Sequence, residues 1–161
     1  MKRRTIAFPC FLLIVCAAMV LAGCASRNHS EKLEQFGELV YHHNPPTEPL
    51  PDTLDTLQFE ENHAAFVAYA LAAQMRSTLY QVPCYCPCNK HEGHKSLLDC
   101  FTSKHGVRCR LCQQEVIFSF LQQREGKSAA QIRRSMAKGI ARVDLQGNVE
   151  QFYSQLRVGT K

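Results

Sequence analysis

The sequence predicts an all-α fold: a small helical domain with a loop-rich cysteine and histidine insert, preceded by a signal peptide and a flexible tether. Apolar residues recur at helical spacing through most of the second half of the chain, and helix-capping signals flank these stretches. Outside the cysteine segment, no stretch alternates as a strand does. The expected boundaries are residues 1–23 for the signal peptide, 24–57 for the tether and 58–161 for the domain.

The composition is that of a globular chain. Its 161 residues are 45% apolar and 20% charged, which argues against a disordered or fibrous protein. The formal net charge is +5, but three of the cations stand in the first four residues. The other cations are scattered rather than clustered, which favours a solvated basic face over binding to acidic lipid headgroups. Nucleic acid is not an expected partner.

The N-terminus has the organisation of a secretory signal. Three cations precede an apolar run from Ile6 to Leu21, which is shorter than the about 20 residues of a membrane span. The following Leu21-Ala22-Gly23-Cys24 resembles the bacterial lipobox. That resemblance implies cleavage before Cys24 and a diacylglyceryl group on its sulfur. We therefore expect an extracytoplasmic chain that meets the cell membrane through the lipid on Cys24.

The segment from residue 25 to residue 57 is predicted to be the tether. It is polar, its apolar residues follow no lasting period, and four prolines favour a semi-extended chain. These prolines are Pro45, Pro46, Pro49 and Pro51.

The first helices are predicted from periodicity and capping. One long helix is expected from Glu60 to Tyr80, because apolar residues recur there at helical spacing, and Pro83 ends it. The apolar face of this helix is wide. A wide apolar face is typical of a central helix. A short capped turn is expected from Ser96 to Phe101, where Asp99 stands three residues after the serine.

Three more helices are predicted towards the C-terminus. One runs from Cys109 to Glu125 and stops at Gly126. The next starts at a capping box, Ser128-Ala129-Ala130-Gln131, and continues with apolar residues at every fourth position as far as Ile140. A last short helix is expected from Val149 to Leu156.

The residues with metal-binding chemistry are concentrated in one segment. Nine cysteines are present, and all six that remain after the signal and the lipidated Cys24 fall within residues 84–112, together with three histidines. Thiolate and imidazole groups suit Cu(I) or Zn(II), whereas Mg²⁺ and Ca²⁺ want carboxylates. The sequence therefore predicts a transition-metal site. The first choices for ligands are Cys84, Cys86, Cys88, Cys109 and Cys112, and the second choices are Cys100, His94 and His105.

The spacing of these residues predicts part of the geometry. Prolines 83 and 87 favour an extended backbone, in which Cys84, Cys86 and Cys88 would project from one face. Cys109 and Cys112 are one turn apart at the start of a predicted helix. The unpaired N–H groups and the dipole of that helix end should lower the pKa of both thiols.

Two other interpretations remain open. Six cysteines can form 15 sets of disulfides, which would make the domain a stapled module that binds another envelope protein without a metal. Redox chemistry at Cys109 and Cys112 would need the strand–helix context of a thioredoxin-like fold, and no such pattern is seen. No nucleophile–base pair can be named, so the sequence shows no catalytic constellation.

A series of motifs runs through the cysteine segment: Pro83-Cys84-Tyr85-Cys86-Pro87-Cys88, Gly93-His94-Lys95-Ser96, Asp99-Cys100-Phe101, His105-Gly106 and the pair Cys109 and Cys112. This series resembles a family of bacterial lipoproteins of unknown function that is named for a PCYCGC motif. The likeness covers most of residues 60–145, and it implies an extracytoplasmic lipoprotein with no established activity. This chain departs from the motif at Pro87, where the family has glycine.

Overall fold

The computed structural model describes residues 39–158, and the regular structure in this range is entirely helical. The predicted all-α class is therefore confirmed. None of the helices within this range combines the length and the apolar character needed to cross a bilayer. The predicted signal peptide, Cys24 and the first part of the tether lie outside the described residues. The helices are α1 (His63–Gln74), α2 (Arg76–Tyr80), α3 (Cys88–His91), α4 (Asp99–Thr102), α5 (His105–Arg108), α6 (Arg110–Arg124), α7 (Ala129–Gly139) and α8 (Leu145–Val158), with 3-10 turns at Thr56–Phe59 and Ile140–Arg142.

Helix α1 forms the centre of the domain. It packs against α6 and α8, and residues 65–69 are all buried. A helix that is apolar on nearly every side is stable only when other elements cover it. The wide apolar face seen in the sequence thus accounts for the central position of α1.

The predicted helix from Glu60 to Tyr80 is interrupted in the structure. Helix α1 begins after Asn62, whose side chain accepts a hydrogen bond from the Ala65 N–H at 3.1 Å. It ends before Met75, whose φ of −136° and ψ of 32° are not helical, and α2 follows. Neither glycine nor proline marks this break. The buried Met75 side chain indicates that tertiary packing, rather than a local signal, determines it.

The capping signals in the second half of the chain predicted the helix ends well. Ser128 forms the expected capping box at the start of α7, and Gly126 has the positive φ, 79°, of a helix stop. Other bounds differ from the prediction. Helix α6 runs from Arg110 to Arg124, with Cys109 as its N-cap and Glu125 as its C-cap. Helix α8 runs from Leu145 to Val158 and so extends beyond both ends of the predicted Val149–Leu156.

From residue 39 onwards, the segment predicted to be a tether lies against the helices. The His42 ring stacks on Tyr80 with 3.7 Å between centroids. Arg76 forms an ion pair with Asp52 at 2.6 Å. The Leu54 N–H donates to the Phe101 carbonyl at 3.0 Å. These contacts hold residues 39–54 close to the domain.

The segment that carries the first three cysteines is a closed loop. The Leu97 N–H donates to the Val82 carbonyl at 2.8 Å, and Arg133 donates to the carbonyl of the preceding Gln81 at 2.7 Å. Residues 82–97 therefore form an Ω-like loop whose ends meet. Gly93, with φ of 70°, stands in its outer part, and no heavy atom lies within 4 Å of the place its Cβ would take.

Candidate metal centre

The fold brings all eight predicted donor side chains into one contiguous cluster. Cys84 and Cys86 lie in the loop after α2, and His94 lies between α3 and α4. The other five donors lie in, or directly before, the helices α3 to α6. These are Cys88 in α3, Cys100 in α4, His105 in α5, Cys109 before α6 and Cys112 in α6.

Four donors form the most complete group, which we call the first donor set: Cys86, His105, Cys109 and Cys112. Their ligand atoms all lie within 4.8 Å of one another. The sulfurs of Cys86 and Cys112 are 3.7 Å apart, and His105 Nε2 is 3.4 Å from Cys86. Around a tetrahedral zinc ion, bond lengths of about 2.3 Å to sulfur and 2.0–2.1 Å to nitrogen separate two sulfurs by about 3.8 Å, and a sulfur and a nitrogen by about 3.6 Å. The observed separations are close to these values.

The junction of α5 and α6 positions three of these donors. His105 is the first residue of α5, and Cys109 has an extended backbone, with φ of −88° and ψ of 96°, between the two helices. The Gln113 side chain fixes this junction, because its Nε2 donates to the carbonyls of Gly106 and Val107, each at 3.0 Å. Gly106 is also required, since a Cβ there would lie 2.9 Å from the Phe101 ring.

Cys84, Cys88 and Cys100 form a second group, with sulfurs that also lie within 4.8 Å of one another. Cys88 and Cys100 are 3.8 Å apart, and His94 Nδ1 is 3.3 Å from the Cys100 sulfur. The expectation that Cys84, Cys86 and Cys88 share one face of an extended segment is wrong. Pro87 has a ψ of 31°, so the chain turns into α3 and directs Cys88 to Cys100 instead.

A buried carboxylate, Glu115, lies beside both groups. One oxygen accepts a hydrogen bond from the Tyr85 N–H at 2.6 Å, and the other lies 3.1 Å from the Cys84 sulfur. Burial, the largest cause, raises the pKa of Glu115 well above its usual range. The sequence analysis missed this residue. Its position three residues after Cys112, on the same face of α6, was the available signal.

The expected lowering of the thiol pKa at the start of α6 is wrong. The hydrogen bond from Cys112 lowers the pKa of Cys109, but the hydrogen bond from Cys86 and burial outweigh it. The pKa of Cys112 is also raised, by hydrogen bonds from Cys100 and Cys109 first of all. Several thiols that are buried side by side cannot all ionise at low cost, and this effect on the pKa outweighs that of the helix end.

The pKa shifts of two other side chains, Cys86 and His94, favour metal binding. Hydrogen bonds from neighbouring thiols, that of Cys100 first, lower the pKa of Cys86 and favour its thiolate. Burial, followed by the charge of His105, lowers the pKa of His94. A lowered pKa keeps the imidazole neutral, and the neutral ring is the form that binds a metal.

All six cysteines among the described residues are free thiols. The shortest sulfur–sulfur separation that we find in the cluster, between Cys84 and Cys86, is 3.2 Å, whereas a disulfide bond is about 2.05 Å long. The stapled arrangement is therefore not the one seen. Residues 39–158 also contain no strand, so the context of a thioredoxin-like redox pair is missing there.

The comparisons with known proteins give a family but no activity. A family model described as a protein of unknown function with a PCYCGC motif matches residues 12–141. No curated protein and no solved structure matches the chain.

Proposed function

This chain belongs to the PCYCGC-motif family of unknown function, and we propose that it is a membrane-anchored extracytoplasmic lipoprotein that binds a transition metal, Zn(II) or Cu(I), through its Cys/His cluster. The first donor set carries the proposal. Three thiols and one imidazole, drawn from three separate parts of the chain, have their ligand atoms within 4.8 Å of one another. Convergence on one point is the requirement of a coordination sphere.

Burial supports a metal over free thiols. Cys112 is fully buried, and Cys86 is 9% exposed. A thiolate in such a place needs a cation, because a buried charge without a partner is costly. A bound ion would supply that charge and displace the thiol protons. Within the first donor set, the separations from Cys86 to Cys112 and from Cys86 to His105 are already close to those of a four-coordinate site.

The chemistry of the donors restricts the metal. Thiolates favour the soft ion Cu(I) and the borderline ion Zn(II), and imidazole suits both zinc and copper. Three sulfurs and one nitrogen within 4.8 Å of one another fit the four-coordinate preference of zinc, whereas the large number of sulfurs fits copper. Elemental analysis distinguishes the two ions.

The metal-binding proposal is tested on the full chain, extracted in detergent and purified from cells grown with zinc and copper. We expect bound metal, free thiols after the metal is removed, and loss of metal in Cys86→Ser and Cys112→Ser. The control is His91→Ala, because His91 is exposed and lies outside the donor groups. Six blocked thiols with no bound metal would overturn the proposal in favour of the disulfide-stapled envelope module.

The lipid anchor is tested separately. We expect the chain to incorporate labelled fatty acid and to sediment with membranes, and we expect Cys24→Ser to lose the label. A matched control is Cys16→Ser, which changes a cysteine inside the predicted signal. Equal labelling of the two variants would contradict lipidation at Cys24, and it would leave metal binding untouched.

A further inference from the structure

We propose that the cluster holds two metal ions, the second of them bound by Cys84, Cys88 and Cys100, with His94 as a fourth ligand. We call these four residues the second donor set. This inference rests on the proposed metal-binding function and gives it a stoichiometry.

The second donor set consists of three sulfurs within 4.8 Å of one another and an imidazole nitrogen beside one of them. The Cys88 and Cys100 sulfurs are 3.8 Å apart, which is the sulfur–sulfur separation expected around a tetrahedral zinc ion, about 3.8 Å. His94 presents Nδ1 to the Cys100 sulfur at 3.3 Å, close to the expected sulfur–nitrogen separation of about 3.6 Å. Cys84 completes the group, since its sulfur lies within 4.8 Å of both other sulfurs.

One ion cannot use all the donors. A structural zinc site takes four ligands, and the first donor set already provides them. Cys84, Cys88 and Cys100 would then remain as three buried thiols, with exposed fractions of 8%, 3% and 0%. Buried thiols alone can be ordinary packing groups. An imidazole nitrogen directed at them is a metal-ligand arrangement, and the neighbouring His94 and His105 rings, 5.1 Å apart, each point to a different set.

Cys84 links the two donor sets. Its sulfur is 3.2 Å from that of Cys86 and 3.5 Å from that of Cys112, both of which belong to the first donor set. A thiolate in this place can bridge two ions. The Glu115 carboxyl group also approaches this sulfur, and Cys84, Cys112 and Glu115 form a third close group of donor atoms.

Charge balance favours a second ion. Six thiolates around one divalent cation would leave four uncompensated negative charges among buried residues. A second divalent cation halves that excess. Because uncompensated buried charge is strongly unfavourable, all six cysteines can bind as thiolates at much lower cost with two ions than with one.

The stoichiometry is tested by titrating the full chain, stripped of metal in detergent, with zinc, followed by native mass spectrometry and elemental analysis. We expect two ions per chain in the wild type and in the His91→Ala control. The double variant Cys88→Ser with Cys100→Ser should keep one ion. The double variant Cys109→Ser with His105→Ala should keep the other.

The outcomes separate this inference from the proposed function. A wild type that binds no metal overturns both. A wild type that binds one ion overturns the second donor set alone. Loss of that ion in Cys109→Ser then supports the first donor set, and retention of the ion contradicts it.

Two further measurements guard against variants that fail to fold. The cadmium-113 spectrum of the loaded wild type should show two resonances, and a single resonance would overturn the inference without any variant. The single change His94→Ala, at a half-buried site, should weaken only the second binding step. Equal weakening of both steps would contradict separate sites.

Discussion

A carboxyl oxygen of Glu115 accepts a hydrogen bond from the backbone N–H of Tyr85 at 2.6 Å. One side chain of α6 therefore fixes the position of the residue between Cys84 and Cys86. This contact ties the cysteine loop to the helix that carries Cys112. The geometry of both donor sets depends on it, because Cys86 belongs to the first set and Cys84 to the second.

The first prediction concerns this hydrogen bond. Glu115→Ala should lower the free energy of unfolding by about 1–3 kcal/mol, because it leaves the Tyr85 N–H buried without its acceptor. Glu115→Gln retains an acceptor oxygen and should cost less. Urea unfolding of both variants measures the difference. The control is Glu125→Ala, which removes an exposed ion pair at the C-terminal end of the same helix and should change stability by less than about 1 kcal/mol.

A second prediction concerns Tyr69, whose buried hydroxyl donates to the Ser103 carbonyl at 2.5 Å. Tyr69→Phe removes this bond between α1 and the turn before His105, and it should cost about 1–3 kcal/mol, because the carbonyl loses its partner. Thermal unfolding tests this. Tyr153→Phe is a matched control, since its exposed hydroxyl forms only a 3.4 Å bond to Glu60. Equal losses in the two variants would contradict the structural role of Tyr69.

The third prediction concerns thiol accessibility. Cys109 is half-buried, whereas the other five described cysteines are buried. In the metal-free chain, iodoacetamide should therefore modify Cys109 first and Cys100 and Cys112 last, since both of these are fully buried. Mass spectrometry of digested samples follows the order. Bound metal should slow the reaction at Cys109. Modification of Cys100 as fast as Cys109 would show that the cluster is open in solution.

Metal removal should destabilise the domain. An ion that binds only the folded chain adds about 2.7 kcal/mol at a free concentration 100 times its Kd. We therefore expect zinc to raise the unfolding midpoint and a chelator to reverse the rise. Cys112→Ser should blunt this response, and His91→Ala should preserve it. An unfolding midpoint that is the same with zinc and with chelator would contradict coupling between binding and folding.

The last prediction is a loss of stability where helix propensity alone predicts a gain. On propensity alone, Gly139→Ala would stabilise α7 by about 1 kcal/mol. The added Cβ, however, would lie 2.0 Å from the Phe118 ring, so we expect a net loss of about 1–3 kcal/mol. Combining the change with Phe118→Leu should recover part of the loss. Strict additivity of the two changes in urea unfolding would contradict the proposed clash.

The sequence predicted the parts of this structure that have local signals. The capping box at Ser128, the stop at Gly126 and the concentration of donors in residues 84–112 were all visible in the residue pattern. The break at Met75 was not, because tertiary packing and not glycine or proline produces it. Which donors fall into which of the two sets was also not predicted. It depends on how Pro87 turns the chain, and spacing alone predicted the opposite, extended conformation.

The hydrogen bond that closes the cysteine loop between Val82 and Leu97 has an evolutionary consequence. The hydrogen bond between Val82 and Leu97 fixes the two ends of the loop, and the space around Gly93 is open. Residues added next to Gly93 would therefore lengthen the loop outward and leave the sulfurs in place. We therefore expect relatives to differ in length between the cysteines that correspond to Cys88 and Cys100. The stretch from Cys84 to Cys88 has no such freedom, since one inserted residue would move a thiol from one donor set towards the other.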